Sequence, residues 1–136
     1  MTRPRGARSR WQAGGHWRVH ARVERFLEPA LLLLLEERPA HGYELLERLA
    51  PLVGEQRVEM GNLYRLLRAL EDEGLVRSEW DASAPGPAKR RYELTTEGHR
   101  LLLRWVEALR AAQARIESFI DRFERGEEVN DAPRPR

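Results

Sequence analysis

The hydrophobic pattern changes period twice along the chain, and the changes mark the elements. Residues 31–35 are an unbroken leucine run, apolar on every side, as a helix buried at the centre of a small fold would be. This first helix is predicted over residues 28–37. Pro29 suits a first turn, where its missing N–H costs little, and Arg38-Pro39 closes the helix. A second helix is predicted over 42–50, with Tyr43, Leu45, Leu46 and Leu49 as its stripe and Pro51 and Gly54 as its stop. Residues 51–58 read as a connector. A third helix is predicted over 59–73, where Met60, Leu63, Leu67 and Leu70 recur at helical spacing and Gly74 supplies a left-handed stop.

The period then falls to two. Residues 75–80 alternate as a strand, 81–87 are rich in turn formers, and 89–94 read as the returning strand of a hairpin with a basic tip. A long helix follows over 96–125. Thr95 or Thr96 can cap it, and Glu97 suits the positive end of its dipole. Leu102, Trp105, Leu109, Ala112, Ile116, Phe119 and Phe123 follow one another at alternating spacings of 3 and 4, a heptad seam. Gly126 is the expected end, with 127–136 a disordered tail.

Three helices, a hairpin and a fourth helix make a mainly α fold with a little β. The expected architecture is a winged helix-turn-helix over 25–95, with a two-stranded wing and a dimerisation helix at 96–126. In such a domain the third helix packs one face inward and lays the other in the DNA major groove. Met60, Leu63, Leu67 and Leu70 fall on one side; Gly61, Asn62, Arg65, Arg68 and Ala69 fall on the other. Asn can read adenine and Arg can read guanine or hold phosphate. Gly61 permits close backbone approach. Lys89, Arg90 and Arg91 form a cationic run beside the turn, where a wing tip would lie along phosphates.

Composition sharpens this picture. The formal charge is only +2, but residues 1–24 form a basic arm, with arginines at 3, 5, 8, 10, 18 and 22 against the single acid Glu24, and Arg25 follows. Lys89 is the only lysine; the arginine bias suits phosphates and guanine edges, or reflects a GC-rich genome. With no cysteine there are no disulfides, thiolate metal sites or cysteine nucleophiles. The leucine run is too short to span a bilayer, and the basic N-terminus lacks the apolar stretch of a signal peptide. The expected location is the cytoplasm.

Three motifs in order, GYELLERL at 42–49, GNLYRLLRALEDEGLVRSEWD at 61–81 and GPAKRRYELTTEG at 86–98, resemble the PadR family of bacterial transcriptional regulators. FLEPALLLLL at 26–35 is also similar to the polyhydroxybutyrate-responsive repressor-like branch. The resemblance implies a DNA-binding repressor. It places Asn62, Tyr64 and Arg65 at the DNA face, with Tyr64 on a backbone phosphate, and Lys89 and Arg90 at the wing tip. Tyr92 matches the aromatic of the returning strand. Asn62 stands where the family usually has Thr or Ser, Arg91 where an aromatic is common, and Glu93 where a basic residue is common.

A 30-residue amphipathic helix is too long to bury its seam on so small a domain, so pairing with a second copy is expected. A two-fold dimer implies a pseudo-palindromic operator. Trp105 and Phe119 lie on the seam as candidate ligand-pocket residues for a small-molecule effector; plain packing is the competing reading. His16 and His20, spaced by four, lack a third ligand nearby, so no metal or other cofactor is expected. No nucleophile–base pair, phosphate-cradling loop or acidic metal cluster is visible, so the chain does not read as an enzyme. The alternative function is a winged-helix module that binds protein instead of DNA.

Overall fold

Residues 26–54, 58–83 and 85–131 are described by the computed structural model. Helix α1 (Leu27–Glu37) is the centre of the fold. Leu31 and Leu32 are wholly buried, Leu34 and Leu35 nearly so, and only Leu33 of the leucine run turns outward. A two-residue strand, β1 (Ala40–His41), leads into α2 (Gly42–Val53), and α3 (Met60–Asp72) crosses over them. Leu45 and Leu49 of α2 and Leu63 and Leu67 of α3 are fully buried, and Leu70 is nearly so. Met60 and Leu66 pack at the edge of this cluster.

Local chemistry stops α3 where its sequence says it should. Gly74 takes φ +78°, a conformation that costs glycine little. Its N–H donates to the Glu71 carbonyl, and that of Leu75 reaches back to the Leu70 carbonyl. This double closure satisfies the last carbonyls of the helix and turns the chain into the sheet.

Strands β2 (Val76–Asp81) and β3 (Lys89–Leu94) pair antiparallel, with Ser78 opposite Tyr92 and Trp80 opposite Arg90. The expected two-stranded wing is in fact part of a three-stranded sheet ordered β1-β3-β2, because Ala40 and His41 pair with Tyr92 and Arg91. Two residues carry no detectable period of two, so β1 leaves no signal in the pattern. Helix α2 also passes its expected stop. Pro51 lies inside it, and the last turn continues to bury Val53. A proline this near the end of a helix removes one hydrogen bond, and the packing of Val53 against the core outweighs that loss.

Helix α4 (Thr96–Asp131) is entered through a cap at Thr95. The Thr95 hydroxyl accepts the Gly98 N–H at 3.1 Å and donates to the Gly74 carbonyl at 2.7 Å. It therefore ties the start of α4 to the end of α3. Thr95→Ala is expected to destabilise the fold by about 1 kcal/mol, read as a lower urea midpoint, with Thr95→Ser close to wild type. The helix does not end at Gly126, as its sequence had suggested; it continues to Asp131. A glycine in a helix interior costs only about 1 kcal/mol relative to alanine, too little to stop a helix with good formers on both sides.

Candidate nucleic-acid interface

The predicted recognition residues of α3 come to the surface together. Leu63, Leu67 and Leu70 anchor one side, while Gly61, Asn62, Tyr64, Arg65, Arg68 and Ala69 are exposed on the other. The Arg65 guanidinium donates to the Asn62 side-chain oxygen one turn earlier, so the two act as a unit on the first turns of the helix. Tyr64 leans back over the start of α2. A Cβ on Gly42 would lie 2.6 Å from its hydroxyl oxygen, so the ring in this position rests directly on the glycine.

Strand parity divides the cationic run. Cross-strand partners share a face, and successive residues alternate between faces. Lys89, Arg91 and Glu93 therefore lie with Asp81, Glu79 and Arg77, while Arg90 and Tyr92 lie with Trp80 and Ser78 on the opposite face. Lys89 stands 4.5 Å over the ring of Tyr43, which stacks on His41 with centroids 5.7 Å apart. Arg90 stands 5.0 Å over Trp80. All three cations belong to the strand and not to the turn, whose apex includes Gly86 at φ +96°.

Between α3 and β3 lies an open concavity of about 560 Å³ lined by Tyr64, Arg68, Glu71, Asp72, Arg90 and Tyr92. A neighbouring groove of about 410 Å³ is floored by Gly42 and walled by Tyr43, Tyr64, Trp80, Lys89 and Arg90. Burial pushes the Tyr92 phenol above its ordinary pKa, with the nearby Tyr64 hydroxyl adding to the effect, so Tyr92 keeps its proton at neutral pH. Arginine, lysine and tyrosine on one concave surface are donors suited to the acceptor oxygens of a nucleic-acid backbone.

The turn end of the wing is braced by one carboxylate, Asp81. Asp81 accepts hydrogen bonds from the Ser83 hydroxyl and N–H, and its other oxygen lies 2.9 Å from His41 Nε2. These bonds, the Ser83 hydroxyl first, hold its pKa down to about 2, from an ordinary 3.8. A depressed carboxylate stabilises the folded form above about pH 3.8, and that contribution disappears as pH falls through about 2. Trp80 fluorescence should therefore report a wing transition in that interval, and Asp81→Asn should abolish it.

The seam residues of α4 split in two. Leu102 is buried, Trp105 packs against the core, and Leu109 and Ala112 are partly covered. The Trp105 indole N–H donates to Glu28 of α1. Ile116, Phe119 and Phe123 are then 56, 76 and 60% exposed. Trp105 and Phe119 stand 14 residues apart, about 21 Å along the axis, so one protomer does not bring them into a common pocket. His16, His20 and the basic arm lie outside the described residues.

Several residues of this surface escaped the sequence reading: His41, Tyr43, Glu71, Ser78 and Trp80. The parity of Val76, Ser78 and Trp80 was a usable signal, since it puts Trp80 on the face that meets α3. Nothing in the pattern marked His41, whose strand is two residues long.

A helix pair whose second member carries an exposed polar face, flanked by a small antiparallel sheet, is a winged helix-turn-helix, the fold of many transcriptional regulators. Residues 31–104 match the transcriptional regulator PadR-like family. The chain belongs to that family, which is one of regulators and not of enzymes. It is similar to a solved conserved protein of unknown function described as a potential transcriptional factor, with 36% identity over 81% of this chain and 99% of the other, at a TM-score of 0.69. A PadR-like transcriptional regulator of Bacillus cereus is 26% identical over 69% of this chain and 90% of its own, at 0.62. Bacillus subtilis PadR, solved in complex with operator DNA, is 26% identical at 0.54, over 60% of this chain and 47% of its own. Curated protein sequences give no significant match. Among the described residues no helix is long and apolar enough to cross a membrane.

Proposed function

We propose that the protein is a sequence-specific, cytoplasmic DNA-binding repressor that acts as a homodimer on a pseudo-palindromic operator. The observation that carries this reading is the two-faced α3: Leu63, Leu67 and Leu70 buried, with Asn62, Tyr64, Arg65 and Arg68 exposed beside Arg90 of the sheet. Gly61, Asn62 and Arg65 enter the major groove in this proposal. Tyr64, Arg68, Lys89, Arg90 and Arg91 hold phosphates. The operator complex of the Bacillus subtilis relative supports the assignment. Helix α4 supplies the dimer contact through Ile116, Phe119 and Phe123, continuing the seam begun by Leu102, Trp105, Leu109 and Ala112. A small-molecule effector at the paired helices would release DNA by changing the separation of the two recognition helices, for which a coupling of about 1–3 kcal/mol is ordinary.

An electrophoretic shift series on the duplex upstream of the protein's own gene tests the reading. Affinity should fall steeply with salt as phosphate contacts release counterions. Arg65→Ala should weaken binding by roughly tenfold or more and relax sequence preference, while Lys89→Ala should weaken all duplexes alike and flatten the salt slope. Absence of a shift on that duplex and on every other promoter fragment tried would sink it.

A further inference from the structure

Arg90 is held from two sides by its own domain. Its Nε–H donates to Ser78 Oγ at 2.8 Å, and that hydroxyl donates onward to Glu71 Oε2, also at 2.8 Å. Its guanidinium lies 5.0 Å from the Trp80 ring centre. The register produces this arrangement: Arg90 is directly opposite Trp80, and Ser78 is the next residue of β2 on the same face. Glu71 reaches the site from the last turns of α3, so the relay runs from helix to strand to strand.

A guanidinium offers five N–H donors in a fixed fork. Ser78 takes the Nε–H, and among the described residues no hydrogen bond occupies the two terminal nitrogens. Arg90 lines the concavity that Tyr64 and Arg68 line from α3 and Tyr92 from β3. A side chain as long as arginine ordinarily loses rotamer freedom on binding; one already clamped by a hydrogen bond and a ring loses less. Glu71 and Asp72 line the same concavity and balance the charge of Arg68 and Arg90. A free anion gains little net attraction there. A phosphodiester carried in by a duplex held elsewhere does not depend on that attraction alone.

We propose that Arg90, Arg68 and the Tyr64 hydroxyl form a prearranged seat for one DNA backbone phosphate, with Ser78, Glu71 and Trp80 as positioning residues that fix Arg90. The proposal rests on the DNA-binding reading and names groups within that site which do not touch DNA themselves.

Because a phosphate contact is independent of sequence, a mixed-sequence duplex at low salt is a sufficient probe. Ser78→Ala and Trp80→Ala should each weaken its binding by about tenfold, the loss of one charge-assisted hydrogen bond or one stacking partner. Ser78→Thr should restore it. Ser78→Ala combined with Arg90→Ala should be no weaker than Arg90→Ala alone, because the two residues form one unit. In the free protein the Arg90 Nε–H should give a protected NMR signal that Ser78→Ala makes mobile. Full binding by Ser78→Ala, or losses that multiply in the double variant, would overturn the seat while leaving DNA binding intact. A wild-type chain that binds no duplex would overturn both. A saturating shift of the Arg90 signal with inorganic phosphate would also overturn it, reassigning the site to a free anion.

Discussion

Gly98→Ala is expected to destabilise the fold by about 2–3 kcal/mol, although alanine is the better helix former. The reason is a backbone contact. A Cβ at this position would lie 2.1 Å from the Leu75 carbonyl oxygen and 2.5 Å from Leu94 Cδ1. The leucine side chain can turn, but the carbonyl is backbone and cannot simply swing away. Leu75 is the first residue after the Gly74 turn, and its carbonyl already accepts the Thr95 N–H at 3.1 Å. Relief requires α4 to lift from the end of α3, which also strains the Thr95 cap and the packing of Leu102 behind it. Gly126→Ala is the internal control. It lies in the same helix with nothing within 4 Å of the new methyl, so it should stabilise by up to about 1 kcal/mol. One substitution type in one helix thus acquires opposite signs. Urea midpoints at a fixed protein concentration measure both. A Gly98→Ala midpoint at or above wild type would show that α4 does not pass this close to the Leu75 carbonyl.

The same junction shows what a sequence makes legible. Gly74 could be placed as a helix stop because its signal is local: a periodic apolar run ends and a glycine follows. Gly98 carries no comparable signal, since its constraint is a carbonyl 23 residues away in sequence. The pattern likewise misplaced the ends at Pro51 and Gly126, where a weak local penalty meets packing or a run of good helix formers. In the candidate site, the α3 residues were legible because a 3.6-residue period assigns each one a face. The consecutive cations 89–91 form one run in the sequence, yet strand parity alternates them: Arg90 shares the face of Ser78 and Tyr92, Arg91 belongs to the opposite one, and Lys89, by parity also opposite, still lines the groove beside Arg90 by lying over Tyr43. Ser78, Glu71 and Trp80 are ordinary residue types at unremarkable spacing. Their relation to Arg90 exists only once β2 and β3 are in register.

Replacing Phe119 and Phe123 together by glutamate should dissociate the proposed dimer into monomers at micromolar concentration and with it abolish the proposed operator binding. The expectation starts from the length of α4. Thirty-six residues extend about 54 Å, and the winged-helix body covers only the first half. The covered stripe, Leu102 through Ala112, continues in register into Ile116, Phe119 and Phe123, which nothing among the described residues covers. Large exposed apolar side chains aligned over two turns mark an interaction surface more often than chance. In a two-fold pair each position counts twice, so four phenylalanines leave water. At about 1.5–3 kcal/mol each, they contribute roughly 6–12 kcal/mol before the cost of association. That is comparable with the cost of bringing two chains together, which is why their loss should be decisive. Glutamate goes further than alanine because a dimer would have to bury four unpaired carboxylates. Light scattering coupled to gel filtration gives the mass, and thermal unfolding checks that the winged helix survives, since neither residue supports it. A wild-type chain that is itself monomeric would overturn the proposed dimer, and a double variant that keeps a dimeric wild-type mass would place the contact elsewhere on the chain. A variant that becomes monomeric yet still protects both halves of a palindromic site would separate dimerisation from operator recognition.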